Sequence, residues 1–106
     1  MPTVKETFDL MSSRFRRDKA AGVNAVIQYE ITGEGGGTWN ATIKDGTCSV
    51  ASGAAPAPNL TLTISGQDWL DMLAGKLNPQ MAFMSGKLKL KGDMGLAMKL
   101  GGMFTA

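Results

Sequence analysis

The chain has no histidine and a single cysteine, Cys48. These shortages exclude an intrachain disulfide, the common Cys/His zinc sites and a thiol nucleophile activated by imidazole. Charge is also sparse and nearly balanced, with eleven Lys/Arg against nine Asp/Glu and a formal net charge of +2. Such a weak field does not capture polyanions, so no nucleic-acid partner is expected. No apolar run reaches the roughly 18 residues of a membrane span. Lys5, Glu6 and Asp9 stand where a signal peptide would carry its apolar region. The expectation is a soluble, cytoplasmic, unexported protein, in which the sequons Asn40-Ala41-Thr42 and Asn59-Leu60-Thr61 have no role.

What is present suits one globular domain spanning 1–106, with 43% apolar and 19% charged residues. A chain of this size buries about 60 to 70% of its unfolded surface. Val4, Phe8, Met11 and Phe15 recur at helical spacing, so a helix is expected from Thr3 to about Ala20. Its early acids, Glu6 and Asp9, and late bases, Arg14, Arg16, Arg17 and Lys19, complement the helix dipole. The basic cluster reads either as a solvated helix end or as a docking point for anionic lipid headgroups.

The period then becomes two. Val23, Ala25, Ile27, Tyr29 and Ile31 form one face of a first strand, and Trp39, Ala41 and Ile43 one face of a second, across a glycine-rich turn. That turn lacks the GxGxxG spacing and leads into a strand, which argues against a nucleotide loop. Asp45-Gly46 is a strong hairpin signal and introduces a third strand, Thr47 to Ala51. Cys48 and Val50 share one face there, which makes Cys48 a small core residue. Leu60, Leu62 and Ile64 mark a fourth strand. Ser65-Gly66-Gln67-Asp68 then opens a helix in the manner of a capping box, and its apolar face is Trp69, Leu70, Met72, Leu73 and Leu77. Asn78-Pro79 starts a short helix that Gly86 ends, and Lys87 to Lys91 alternates lysine with leucine in a fifth strand.

The stretch from Gly75 to Phe104 is the unusual one. Its terminal helix is apolar on nearly every side, whereas a surface helix has one apolar stripe. Six of the eight methionines, Met72, Met81, Met84, Met94, Met98 and Met103, lie from Met72 onward. Methionine adapts to irregular apolar shapes. Gly95, Gly101 and Gly102 weaken the helix by about 1 kcal/mol each relative to alanine, a property suited to a movable lid. The expected architecture is α+β, a five-stranded, largely antiparallel sheet with helices packed on one face. The other face is polar, with Asn24, Gln28, Glu30, Asn40, Lys44, Lys87 and Lys89.

The order of these elements, with Leu73-Ala74-Gly75-Lys76-Leu77-Asn78-Pro79, Ala82 to Asp93, and Ala97-Met98-Lys99-Leu100 closing on Phe104, resembles the sterol carrier protein 2 (SCP2) family. The resemblance implies a non-enzymatic carrier that binds and transfers a sterol, fatty acid or fatty acyl-CoA in an apolar tunnel between sheet and helices. It implies a wall of Trp69, Leu73, Phe83 and Met84 from the middle helices and Met98, Leu100, Met103 and Phe104 from the terminal helix. No catalytic residue, metal or cofactor is implied, and a monomer with transient membrane-surface contact is expected. Peroxisomal members end in a Ser-Lys-Leu-like tripeptide; Phe-Thr-Ala stands here, which favours the cytoplasmic expectation. Two rivals remain. An enzyme would draw on Asp68, Asp71 or Asp93, each of which has a local structural reason to be where it is. An accessory or interaction domain would keep the fold without carrying lipid.

Overall fold

The computed structural model describes residues 3–11, 22–33 and 35–103, with side chains in the last helix as far as Lys99. Five strands, β1 (Ala25–Thr32), β2 (Gly37–Lys44), β3 (Thr47–Ser52), β4 (Leu60–Ser65) and β5 (Lys89–Gly92), form one sheet in the order β3-β2-β1-β4-β5. β1 and β4 run parallel, and the remaining neighbours are antiparallel. Among the described residues four helices accompany them: α1 (Val4–Asp9), α2 (Gly66–Leu73), α3 (Pro79–Met84) and α4 (Met94–Met103).

Register converts the two-residue period of each strand into one continuous apolar face. Ile27 lies between Ala41 and Leu60, Tyr29 between Trp39 and Leu62, and Leu62 in turn faces Leu90. Ile27, Ala41, Ile43 and Leu60 are fully buried on that face. α2 lies over β1 and β4, α1 beside α2, and α4 over β4 and β5. The architecture is the expected α+β arrangement with a mixed sheet.

Local chemistry accounts for most boundaries. At the β2–β3 hairpin both central residues have positive φ, Asp45 at 52° and Gly46 at 75°, as a type I′ turn requires. Asn78 Oδ1 accepts the N–H groups of Gln80 (2.8 Å) and Met81 (3.3 Å), with Pro79 in the first turn of α3. Asp93 Oδ1 accepts the Leu96 N–H at 3.1 Å and so caps α4.

Three expectations are corrected. The first helix, expected to reach about Ala20, ends as α1 at Asp9, with Leu10 as its cap; Phe15 and the basic cluster lie outside the described residues. The reciprocal capping box belongs to α1, where Thr3 Oγ1 accepts the Glu6 N–H (3.2 Å) and Glu6 Oε1 accepts the Thr3 N–H (2.9 Å). At α2 only the Ser65 oxygen caps, accepting the Asp68 N–H at 3.2 Å, since aspartate is one methylene too short to reach back. The lysine strand begins at Lys89 instead of Lys87, because the Lys87 and Leu88 N–H groups both donate to the Ala82 carbonyl, at 2.9 and 3.0 Å. The polar face of the sheet, as expected, is lined with polar side chains, and two of them hold a loop. Gln28 Oε1 accepts the Ala55 N–H (3.0 Å) and Asn40 Nδ2 donates to the Gly53 carbonyl (2.9 Å), which holds the loop after β3 against it.

Candidate functional site

Two regions on the helical side combine apolar surface with partial access. The first is aromatic. Phe8 of α1 is 1% exposed and lies in a stack between Trp39 of β2, at 4.4 Å between ring centroids, and Trp69 of α2, at 5.0 Å. Tyr29 meets Phe8 and Trp69 edge-on at 5.2 and 5.5 Å. Beside the stack, between α1 and the β2–β3 side of the sheet, is a groove of about 380 Å³. Phe8, Trp39 and Val50 contribute its apolar lining, and Lys5 and Asp9, ion-paired at 3.0 Å, its charged lining.

The buried Tyr29 phenol and the half-buried Cys48 thiol on this side are not activated. Burial raises the Tyr29 phenol far above its ordinary range and pushes the Cys48 thiol up to about 11, so both stay protonated at neutral pH. Among the described residues no three acidic or thiol side chains converge as metal ligands.

The second region is α3 and α4. Leu96 is buried and Ala97 partly buried against the core, whereas Met94 and Met98, one helical turn apart, stay exposed. On α3 only Ala82 is buried; Met81, Phe83 and Met84 face outward. Among its described side chains the terminal helix therefore buries Leu96 and part of Ala97 and leaves Met94 and Met98 exposed.

The residues expected to line a tunnel are distributed unevenly between these surroundings. Trp69 is 3% exposed in the aromatic stack, and Leu73 is half-buried against the core. Phe83, Met84 and Met98 are 44%, 79% and 86% exposed. The side chains of Leu100 and Met103, and all of Phe104, lie outside the described residues. Sequence reading missed Asn59 as an organising residue. Its Oδ1 accepts the Val26 N–H (2.8 Å) and its carbonyl the Asp93 N–H (2.9 Å), so one residue ties β1 to the start of α4. An asparagine directly after Pro58 and before an apolar strand was the available signal.

A five-stranded mixed sheet with helices packed on it is the α+β fold of sterol carrier protein 2 domains. The chain belongs to the SCP-2 sterol transfer family, a family of lipid-binding domains, whose model matches residues 5–105. It is 41% identical over 98 residues to hydroxysteroid dehydrogenase-like protein 2 of Bos taurus, covering 92% of this chain and 23% of that protein. It thus spans about a quarter of the length of the curated relatives it matches. Among solved structures, the sterol carrier protein domain 2 of Helicoverpa armigera is similar with a TM-score of 0.78 and 32% identity, over 93% of this chain and 83% of that one. Palmitated SCP2L2 from Aedes aegypti is similar with a TM-score of 0.76 and 26% identity, over 95% and 93% of the two chains. No described helix is long and apolar enough to cross a membrane.

Proposed function

We propose that this chain is a non-enzymatic carrier that holds a sterol, fatty acid or fatty acyl-CoA between the helices and the apolar face of the sheet and delivers it to another acceptor. The observation that carries the reading is the seating of α4: a helix apolar nearly all round that buries Leu96 and leaves Met98 86% exposed. Apolar surface of that kind is stabilised by covering it, and methionine conforms to chains of variable shape. Trp69 and Leu73 supply the inner wall of the proposed site. Phe83, Met84 and Met98 supply the part a ligand recruits from the surface, and Leu100, Met103 and Phe104 are proposed to complete the wall. Burying about ten methylenes yields on the order of 8 kcal/mol gross, ample for a reversible complex. The palmitate named with the Aedes aegypti structure supports an acyl chain as one ligand class.

Titrating delipidated protein with a fluorescent fatty acid or sterol tests the reading. Saturable micromolar binding that a non-fluorescent competitor displaces is expected; no saturable binding at that protein concentration rejects it.

A second reading has its own observation. The chain matches only 23% of a dehydrogenase-like protein, so it also fits an accessory domain that serves a neighbouring enzyme. Native mass spectrometry separates the two, since a carrier copurifies with a lipid mass and a lipid-free accessory domain does not.

A further inference from the structure

β3 is one end of the sheet and β5 the other, and the two edges differ in how their open backbone is protected. β5 has four residues and carries exposed Lys89 and Lys91, charges of the kind that keep an edge strand from pairing with another chain. β3, Thr47-Cys48-Ser49-Val50-Ala51-Ser52, has six residues with no charge and no proline. Its open groups follow from its register. The Gly53 N–H donates to the Thr38 carbonyl at 2.8 Å, directly beyond the paired Trp39 and Ser52, so by the alternation of an antiparallel ladder Thr47, Ser49 and Ala51 bond to β2. The N–H and C=O groups of Cys48, Val50 and Ser52 point away from the sheet, and no described strand receives them. Beyond Ser52 the chain turns at Gly53, with φ of 101°, and runs over the polar face to Gln28 of β1, which leads it away from this edge.

The apolar face is unfinished at the same edge. Cys48, Val50 and Ser52 stand opposite Ile43, Ala41 and Trp39 and so share the core face with them. Ile43 and Ala41 are fully buried but Cys48 and Val50 only partly, and the groove beside α1 opens over Val50, Ala51 and Ser52. We infer that β3 is a dimer interface, at which the β3 of a second copy of this chain adds antiparallel and joins the two sheets into one. A row of outward N–H and C=O groups calls for another extended chain. β3 offers no charge to select a different chain, and its row is its own complement. About a two-fold axis at Val50, Val50 faces Val50 and Cys48 faces Ser52; every outward group of these residues finds a partner, and no charge meets a like charge. The second copy's Cys48 and Val50 then lie on the core side beside Ser52 and Val50, where they continue the apolar face past the groove. Such a dimer stands in place of the monomer expected from the sequence.

Sedimentation velocity of the full chain over a concentration series tests it, and a concentration-dependent dimer is expected. Ser49→Lys/Ala51→Lys sets lysine opposite lysine across the two-fold axis and should raise the dimer Kd at least about tenfold. Both positions are exposed, so the variant should keep the parent's circular dichroism. Met84→Ser/Met98→Ser, at the far side of the sheet, should leave the Kd unchanged. In a Cys48→Ala background, Val50→Cys should form an intermolecular disulfide under air oxidation, because the Cα atoms of such a pair lie about 5.5 Å apart. Native Cys48 should form none, since the two copies of it stand roughly 13 Å apart along the strands. Should the lysine variant lose its fold, the cross-linking result decides. A parent that stays monomeric overturns the inference and leaves the edge to a strand of another protein. A dimer that the lysine variant leaves intact, one lost only in the methionine variant, a Val50→Cys variant that does not cross-link, or a disulfide through native Cys48 overturns it too.

Discussion

The indole N–H of Trp69 donates to the Thr7 hydroxyl at 2.8 Å, joining α2 to α1 across 62 positions of sequence. Thr7 donates onward to the Val4 carbonyl at 2.6 Å, so its hydroxyl accepts from one helix while anchored within the other. The next residue, Phe8, then lies between the two indoles. Trp69 thus has a structural task, locking the helical layer, besides any contact with a ligand.

Phe8→Ala should destabilise the fold by about 3 to 5 kcal/mol, since it removes a fully buried ring from a stack that cannot collapse without moving two helices. Thr7→Val should cost about 1 to 3 kcal/mol by leaving the buried indole N–H unpaired. Urea unfolding followed by tryptophan fluorescence measures both. A loss below about 1 kcal/mol for Phe8→Ala would show that the stack is not a unit of stability.

Gly92 has φ of +117°, and a Cβ there would run into the carbonyl oxygen of Asn59. Gly53 has a comparable φ of +101° with open space around its Cβ direction. Both alanine variants carry the backbone cost of positive φ, about 1 kcal/mol. Only Gly92→Ala must also displace Asn59, which holds β1 and α4 together. Thermal melts should therefore show a clearly larger fall for Gly92→Ala, and equal falls would deny the clash any weight.

Glu6 is held below its ordinary value of 4.5, chiefly by the hydrogen bond from the Thr3 backbone N–H and then by the Thr3 side chain. A carboxylate with a depressed folded pKa contributes stability above its unfolded value and loses it as pH falls through the folded one. The α1 capping box should therefore weaken only on acidification below about 4, near the ordinary carboxylate range. Glu6→Gln keeps the box and should remove that pH dependence. Amide exchange at the start of α1 in the two proteins checks it; identical profiles would mean the box does not titrate.

Cys48 should react slowly with iodoacetamide at about pH 8, where an ordinary exposed thiol is already partly ionised. Burial favours the neutral thiol, so its contribution to stability is complete below the unfolded value of 9.0 and is lost as pH rises toward about 11. Unfolding in guanidinium should accelerate alkylation sharply. Equal rates in the folded and unfolded chain would place Cys48 at the surface.

Sheet, strand order of pairing within the hairpins, and core face were legible because they follow from local periods. Ile27, Ala41, Ile43 and Leu60 sit inside because alternation leaves them no other face. Asp45-Gly46 and Asn78-Pro79 announced their turns because few residue types satisfy those backbone angles or cap those N–H groups. The family, too, was legible in the run from Leu73 to Phe104, where glycine, lysine and leucine spacing is unusually specific.

Tertiary structure alone decided how the described apolar residues from Trp69 to Met98 were divided. The family resemblance made Trp69, Met84 and Met98 alike as wall residues, but Trp69 is locked by Thr7 and Phe8 while Met84 and Met98 face water. Helical periodicity reports which side chains share a face. It does not report which face finds a partner, because that depends on contacts far away in sequence: Val26 and Asp93 meeting at Asn59, and Thr7 meeting Trp69. For a helix apolar nearly all round, every orientation on the sheet buries a similar amount, and only those distant ties select one.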